Sequence, residues 1–341
     1  MTGWKRLGGL PRARLVDARL QLHHAAQPAA AVGKLVLPHQ EDYGEQSFRW
    51  LASARCLVQA AVAAAIPLRA ALRPSAPALL LLAADDAPDA VDAPDEDDAP
   101  EAVDAVDAND ASAARKAGVA GPRILRELPL GGRTLGEVYG WLAAQLEDLL
   151  GRPLPGELER PEGLPAHAVA AGGRFDAGDA EAFAEMGRLF ANADRVLRAW
   201  ASTWPGASAV RCWPHHFDIA TLVSMTPAIS MSPMISMMEA DEPPMGAAAA
   251  PEEGRTIGLG LVPGDEGRPD PYFYVTPFPY PDKPKLPPLP AGATWNTDGW
   301  LGAVLEAPRF MDASQNAAAQ AEAVETFLRA AAEACRRLLA A

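Results

Sequence analysis

Two low-complexity runs limit what this chain can fold into more than any other feature. Residues 85–114 are written almost wholly in Asp, Ala, Val and Pro, with near-repeats such as Asp-Ala-Pro and Ala-Val-Asp. Residues 225–254 carry six methionines between Met225 and Met245 and then an acidic, Ala-rich end. Neither run can bury enough apolar surface to offset the entropy of ordering it, so both are expected to be disordered inserts. Any core must be assembled from the sequence on either side of them.

The inserts also account for the charge. The chain's net charge is −14, but twelve acids and no base fall between Asp85 and Asp110, and five more acids between Glu239 and Glu253. Without them the body is slightly basic. It has no Lys/Arg stripe, which argues against a nucleic-acid partner. The greasiest segment, Leu57–Ala84, is interrupted by Arg69, Arg73 and three prolines, so no membrane span is expected. Three well-separated cysteines, Cys56, Cys212 and Cys335, with no Cys-x-x-Cys pair, and no apolar leader after Met1–Arg6, fit a reducing cytoplasm.

The remaining sequence reads as α+β, a mostly antiparallel sheet flanked by long helices. Residues 12–37 have a helical period, with Leu15, Arg19, Leu22, Ala26 and Ala29 on one face and Pro28 as a kink or break. Segments 48–60, 66–73, 77–83 and 123–130 read as strands. Thr134-Leu-Gly-Glu137 has the form of a capping box, and Gly151 ends the helix it starts. A Pro- and Gly-rich stretch, 151–178, reads as a linker. A second half follows: a helix from Asp179 to Trp204, strands at 209–223, 256–262, 271–279 and 295–306, and a closing helix from Ser314 to Leu339. The halves, 1–150 and 179–341, thus resemble two α-β4-α units.

The densest group of potential ligands lies in Arg211-Cys-Trp-Pro-His-His-Phe-Asp218. In a regular strand His216 and Asp218 share one face and His215 takes the other. Pro214 makes a bulge or an edge position conceivable there. Imidazole and carboxylate together suit a divalent Zn, Fe or Mn ion bound by His215, His216 and Asp218. They equally suit a His216–Asp218 acid/base pair with His23 as a further catalytic group. A hydrogen-bonded His–Asp pair that merely pins a strand end is the structural alternative. His23 and Gln27, four residues apart, project from one side of the first helix. Gln27, Trp213, Tyr272 and Tyr274 are candidate lining for a small-molecule pocket. The Met-x-x-Met spacings could hold Cu(I), but a flexible loop explains them more simply. Gly264-Asp-Glu-Gly267 reads as a turn, and Gly131-Gly132 lacks the Lys and spacing of a phosphate loop.

Leu22-His23-x-x-x-Gln27, Ala193-Asp-Arg-Val-Leu197, Phe217-Asp-Ile-Ala220 and Tyr272-Phe-Tyr-Val-Thr-Pro-Phe-Pro-Tyr280, in that order, resemble a bacterial family of uncharacterised proteins with a domain of unknown function. The resemblance implies a cytosolic protein without an assigned activity. By position, His23, Gln27 and Asp218 match the family pattern, whereas His215 and His216 look like features of a narrower branch. His24 stands where the family commonly has an aromatic. The resemblance therefore favours a site on His23, Gln27 and Asp218 over a metal held by the His pair. The functional expectation is a pocket between the two halves for a small polar ligand, with a metal-assisted hydrolytic step as one outcome. A non-enzymatic binding or assembly protein is the other.

Overall fold

The structure, a computed structural model, describes residues 3–84, 122–225, 254–282 and 285–340. Apart from Met225 and Gly254, the two low-complexity runs lie outside the described residues.

Two antiparallel sheets carry the fold. The first runs in chain order through β1 (Arg49–Leu51), β2 (Cys56–Val58), β3 (Leu68–Arg73), β4 (Ala78–Ala83) and β5 (Ile124–Pro129). The second contains β6 (Arg211–Trp213), β7 (Asp218–Ser224), β8 (Thr256–Val262), β9 (Tyr272–Phe278), β10 (Ala293–Asn296) and β11 (Gly302–Glu306), in the order β10-β11-β9-β8-β7-β6. The sheets hold five and six strands where four each were expected. The reason is that segments 48–60, 209–223 and 295–306, each expected as a single strand, fold back as pairs. The sheets meet edge to edge. Just before β1, Phe48 exchanges both main-chain hydrogen bonds with Cys212 of β6, at 2.9 and 2.7 Å.

Helices α1 (Arg12–Val36), α2 (Leu135–Leu150), α3 (Ala180–Ala201) and α4 (Ala317–Ala340) pack against one face of this surface. Strand alternation explains the assignment. Leu57, Leu68, Ala70, Leu72, Leu79 and Leu81 of the first sheet share a core with Ile219, Val223, Leu259, Phe273 and Val275 of the second. The capping box forms as the sequence predicts. Thr134 Oγ1 accepts from the Glu137 N–H, Glu137 accepts from the Thr134 N–H, and Gly151 closes α2 in the left-handed conformation. Amphipathic α3 and α4 bury Phe183, Phe190 and Leu197, and Val324, Phe327 and Leu328. The three cysteines are buried free thiols, and burial pushes Cys56 and Cys335 up to about 12.

Helix α1 departs from expectation. It is unbroken across Pro28 and buried on every side from Gln21 to Gly33, with no single apolar face. It is the central rod, packed between α2 and α3 and against β3. Ala25, Ala26, Ala29, Ala30 and Ala31 let neighbouring elements come close, while the buried polar residues Gln21, His23, His24 and Gln27 each find hydrogen-bond partners. The expected linker is also packed: Val169 and Phe175 enter the core, and Phe175 exchanges main-chain bonds with Gly132 and Arg133 at 2.8 Å each.

At Gly33, α1 comes close to the backbone ahead of β1. A Cβ there would lie 1.9 Å from the Glu45 carbonyl oxygen and 2.7 Å from Gln59 Nε2. Replacing glycine by alanine inside an exposed helix stabilises it by about 1 kcal/mol. Gly33→Ala should instead destabilise the protein by about 1–3 kcal/mol, because the Glu45 backbone must move. Urea unfolding measures this directly, and an unchanged or higher midpoint would refute so close a contact.

Candidate functional site

The segment expected as one long strand is a hairpin. β6 pairs with β7 in the register Trp213↔Asp218, and Pro214-His215-His216-Phe217 forms the four-residue tip. Phe217 closes the tip with φ +58°, and its N–H donates to the Trp213 carbonyl at 2.7 Å. The face argument for a straight strand therefore does not apply. His215 and His216 both lie in the turn, with ring centroids 4.4 Å apart.

His23 and Gln27 hold this tip from α1. His23 Nε2 donates to the Pro214 carbonyl at 2.9 Å and to the His215 carbonyl at 3.1 Å. A carbonyl only accepts, so the Nε2 nitrogen carries the proton. Gln27 Nε2 donates to the same Pro214 oxygen at 2.8 Å and to the His23 carbonyl at 2.8 Å. The His23 ring lies parallel to Phe217 at 5.3 Å, and Phe217 meets Phe190 edge-on at 5.1 Å. Burial, with help from neighbouring His24, lowers the His23 pKa to about 4, so the ring is neutral at pH 7. His24 Nε2 donates to the Pro165 carbonyl at 3.0 Å, and burial lowers its pKa too. In this geometry the polar ends of His23 and Gln27 are engaged with backbone rather than offered to a cleft.

Asp218 faces the opposite side of the second sheet. It is 1% exposed, and its Oδ2 accepts from the Tyr274 hydroxyl at 2.9 Å. Tyr274 alternates with Phe273 and Val275, which face the helices, so its ring lies on the far face. Gly260 makes the reach from β9 to β7 possible, since a Cβ there would sit 2.7 Å from the Tyr274 ring. Asp218 Oδ1 is enclosed and has no protein partner among the described residues. Burial pushes its carboxyl above the usual range, while nearby His216, the Tyr274 hydrogen bond and its own backbone N–H pull it back. His216 is exposed. His215 is part-buried, its Nε2 is enclosed without a partner among the described residues, and burial lowers its pKa to about 4.

The aromatic candidates separate. Tyr274 reaches Asp218, whereas the Tyr272 hydroxyl donates to Asp265 Oδ2 at 2.6 Å. Trp213 is part-buried on β6. Asp265 and Arg19 complete this end of the sheet. Asp265 also accepts from the Arg268 N–H at 2.6 Å. Arg19, 6% exposed, donates to the Gly264 carbonyl, and burial lowers its pKa while Asp265 opposes that shift. Among the described residues no three His, Cys, Asp or Glu side chains are grouped to hold a metal ion, so His215, His216 and Asp218 do not form the expected ligand set. An open cleft of about 390 Å³ lies elsewhere, beside Arg73, Ser75, Gly131 and Ala180.

Fold and site together define an α+β protein with helices on one face of two edge-joined antiparallel sheets and a buried polar cluster at one end of the second sheet. The model of a family of unknown function, DUF5996, matches residues 122–339, and the chain belongs to that family. The match includes Asp218, Tyr272 and Tyr274 and leaves out α1. No curated protein and no solved structure matches the chain. No helix of the described residues is long and apolar enough to cross a membrane.

The neutral His23 has a consequence for stability. Its folded pKa, about 4, is below the ordinary 6.5, so on acidification the unfolded chain takes the proton first. The stability it contributes is complete above pH 6.5 and is lost as pH falls toward 4. The depression corresponds to about 3 kcal/mol. Urea midpoints of wild type and His23→Gln between pH 7.5 and 4.5 should show a flatter pH dependence in the variant; parallel curves would contradict a buried neutral ring.

Proposed function

We propose that the protein binds a small polar molecule at the end of the second sheet. Asp218 accepts a hydrogen bond from it, and His216 meets it from the solvent side. The observation that carries this reading is the Asp218 carboxyl, buried with one oxygen held by Tyr274 and the other without a partner among the described residues. Buried polar atoms are rarely left without a partner, because an unmade bond there costs the full desolvation of the group. An acceptor beside an exposed imidazole suits a ligand with an amide, amine or hydroxyl donor. The same pair has the composition of a general acid and base, so a hydrolytic step at this site is consistent with it. His23 and Gln27 support the site by fixing the tip that carries His216.

A second reading is favoured by the way His23, Gln27 and Tyr274 each end on a protein acceptor: the whole cluster is structural. The two readings diverge on Asp218→Asn. A carboxyl whose folded pKa is raised contributes its full stability below pH 3.8, and that contribution is lost as pH rises through the folded value. At pH 7.5 an anchoring carboxylate without its ligand is therefore a cost. Under the binding reading the unliganded Asp218→Asn chain melts a few degrees above wild type. In a thermal-shift panel of small amides, amines and alcohols, at least one compound stabilises wild type by more than about 2 °C and leaves Asp218→Asn unmoved. A variant that melts below wild type, with no compound that discriminates between the two proteins, would favour the structural reading.

A further inference from the structure

We propose that the groove between α3 and α4 is a recognition site for an extended peptide with Trp and Leu three residues apart, and that residues 3–10 of this chain occupy it in cis. This inference is independent of the Asp218 site.

The segment has no helix or strand of its own, so its backbone polar groups must be satisfied by something else. Side chains of the two helices do this. Asn192 of α3 makes a two-point contact with Lys5: its Oδ1 accepts from the Lys5 N–H at 2.8 Å and its Nδ2 donates to the Lys5 carbonyl at 2.7 Å. Gln320 of α4 does the same for Leu7, with Oε1 accepting from the Leu7 N–H at 2.9 Å and Nε2 donating to the Leu7 carbonyl at 2.7 Å. Gln320 Oε1 also accepts from the Trp4 indole N–H at 3.3 Å. Glu185 of α3 accepts from the Gly8 N–H. Asn192, Gln320 and Glu185 are each no more than 1% exposed, so three fully buried polar side chains serve one short segment.

The amides read main chain and therefore tolerate many sequences. Specificity comes from the anchors. Trp4 and Leu7 are buried at 6% and 1%, while Arg6 and Gly9 are exposed. Main-chain pairing for affinity with pockets for spaced side chains is the logic of extended-peptide recognition. Gly8 and Gly9, both with φ near +100°, turn the segment toward Pro11 and the start of α1. A partner that presents an extended Trp-x-x-Leu segment would compete for the groove with the chain's own residues.

The test uses the full chain and a fluorescein-labelled peptide of residues 3–10. Wild type fills its own groove, so the peptide should bind it at least tenfold more weakly than it binds the chain carrying Trp4→Ala and Leu7→Ala. Adding Asn192→Ala to that chain should weaken peptide binding at least tenfold, and a peptide with both anchors changed to Ala should not bind. If the double variant fails to fold by circular dichroism, Trp4→Ala alone takes its place with the same criteria. Peptide anisotropy that rises no more for the anchor-depleted chain than for wild type would overturn the proposal. So would binding that ignores Asn192→Ala.

Discussion

One carbonyl oxygen, that of Pro214, carries much of the organisation at the β6–β7 hairpin. It is buried at the tip of the β6–β7 hairpin and accepts from two donors on α1, His23 and Gln27. A buried backbone acceptor must be paired or it costs as much as a lost hydrogen bond. Helix α1 meets that need and fixes several loops at once. Arg19, His23 and Gln27 follow at four-residue steps along one side of the helix. Arg19 takes the Gly264 carbonyl in the β8–β9 turn, and His23 and Gln27 take the hairpin tip. Farther along, Gly33 lets the backbone around Glu45 close in ahead of β1. The seam between the sheets, Phe48 with Cys212, lies between these last two contacts in the chain's path.

The arrangement also lines up aromatic rings beside the tip. His167, His24, His23 and Phe217 form a row with neighbouring ring centroids 6.1, 6.2 and 5.3 Å apart. Phe217 continues the row into the apolar core through Phe190. His23 and His24 gain packing area and each donates to a carbonyl, which a phenyl ring could not do. The carboxyl of Asp218 differs in kind. Among the described residues Oδ2 takes the Tyr274 hydroxyl and Oδ1 has no partner.

Much of this was legible in the sequence, and the failures share a cause. The capping box at Thr134, the stop at Gly151 and the β8–β9 hairpin are set by local chemistry, and they formed where that chemistry placed them. The four-residue spacing of His23 and Gln27 correctly put them on one side of α1, and they converge on one atom. The target was hidden, because a backbone carbonyl has no letter in a sequence. The hairpin tip was missed because Pro-His-His-Phe contains no Gly or Asn, and Phe217 takes a left-handed conformation that bulky residues avoid. Tertiary contacts, the stacked His23 ring and the two donors on α1, hold it there. The periodicity of α1 suggested one buried face, but an Ala-rich helix can be packed from every side. Asn192, Gln320 and Glu185 went unnoticed because isolated polar residues within amphipathic helices ordinarily face water.

The central claim is that α1 holds the hairpin tip, and through it the seam between the sheets, by way of the Pro214 carbonyl. Amide hydrogen exchange in wild type and Gln27→Ala tests it most directly. Loss of one of the two donors should speed exchange at Phe217, whose N–H closes the tip, and at Cys212 and Phe48, whose N–H groups bridge the sheets. Amides in the β8–β9 ladder, remote from the tip, should keep their wild-type protection. Unchanged exchange at Phe217, Cys212 and Phe48 would mean that the hairpin and the seam stand without α1, and would contradict the organising role assigned to the Pro214 carbonyl.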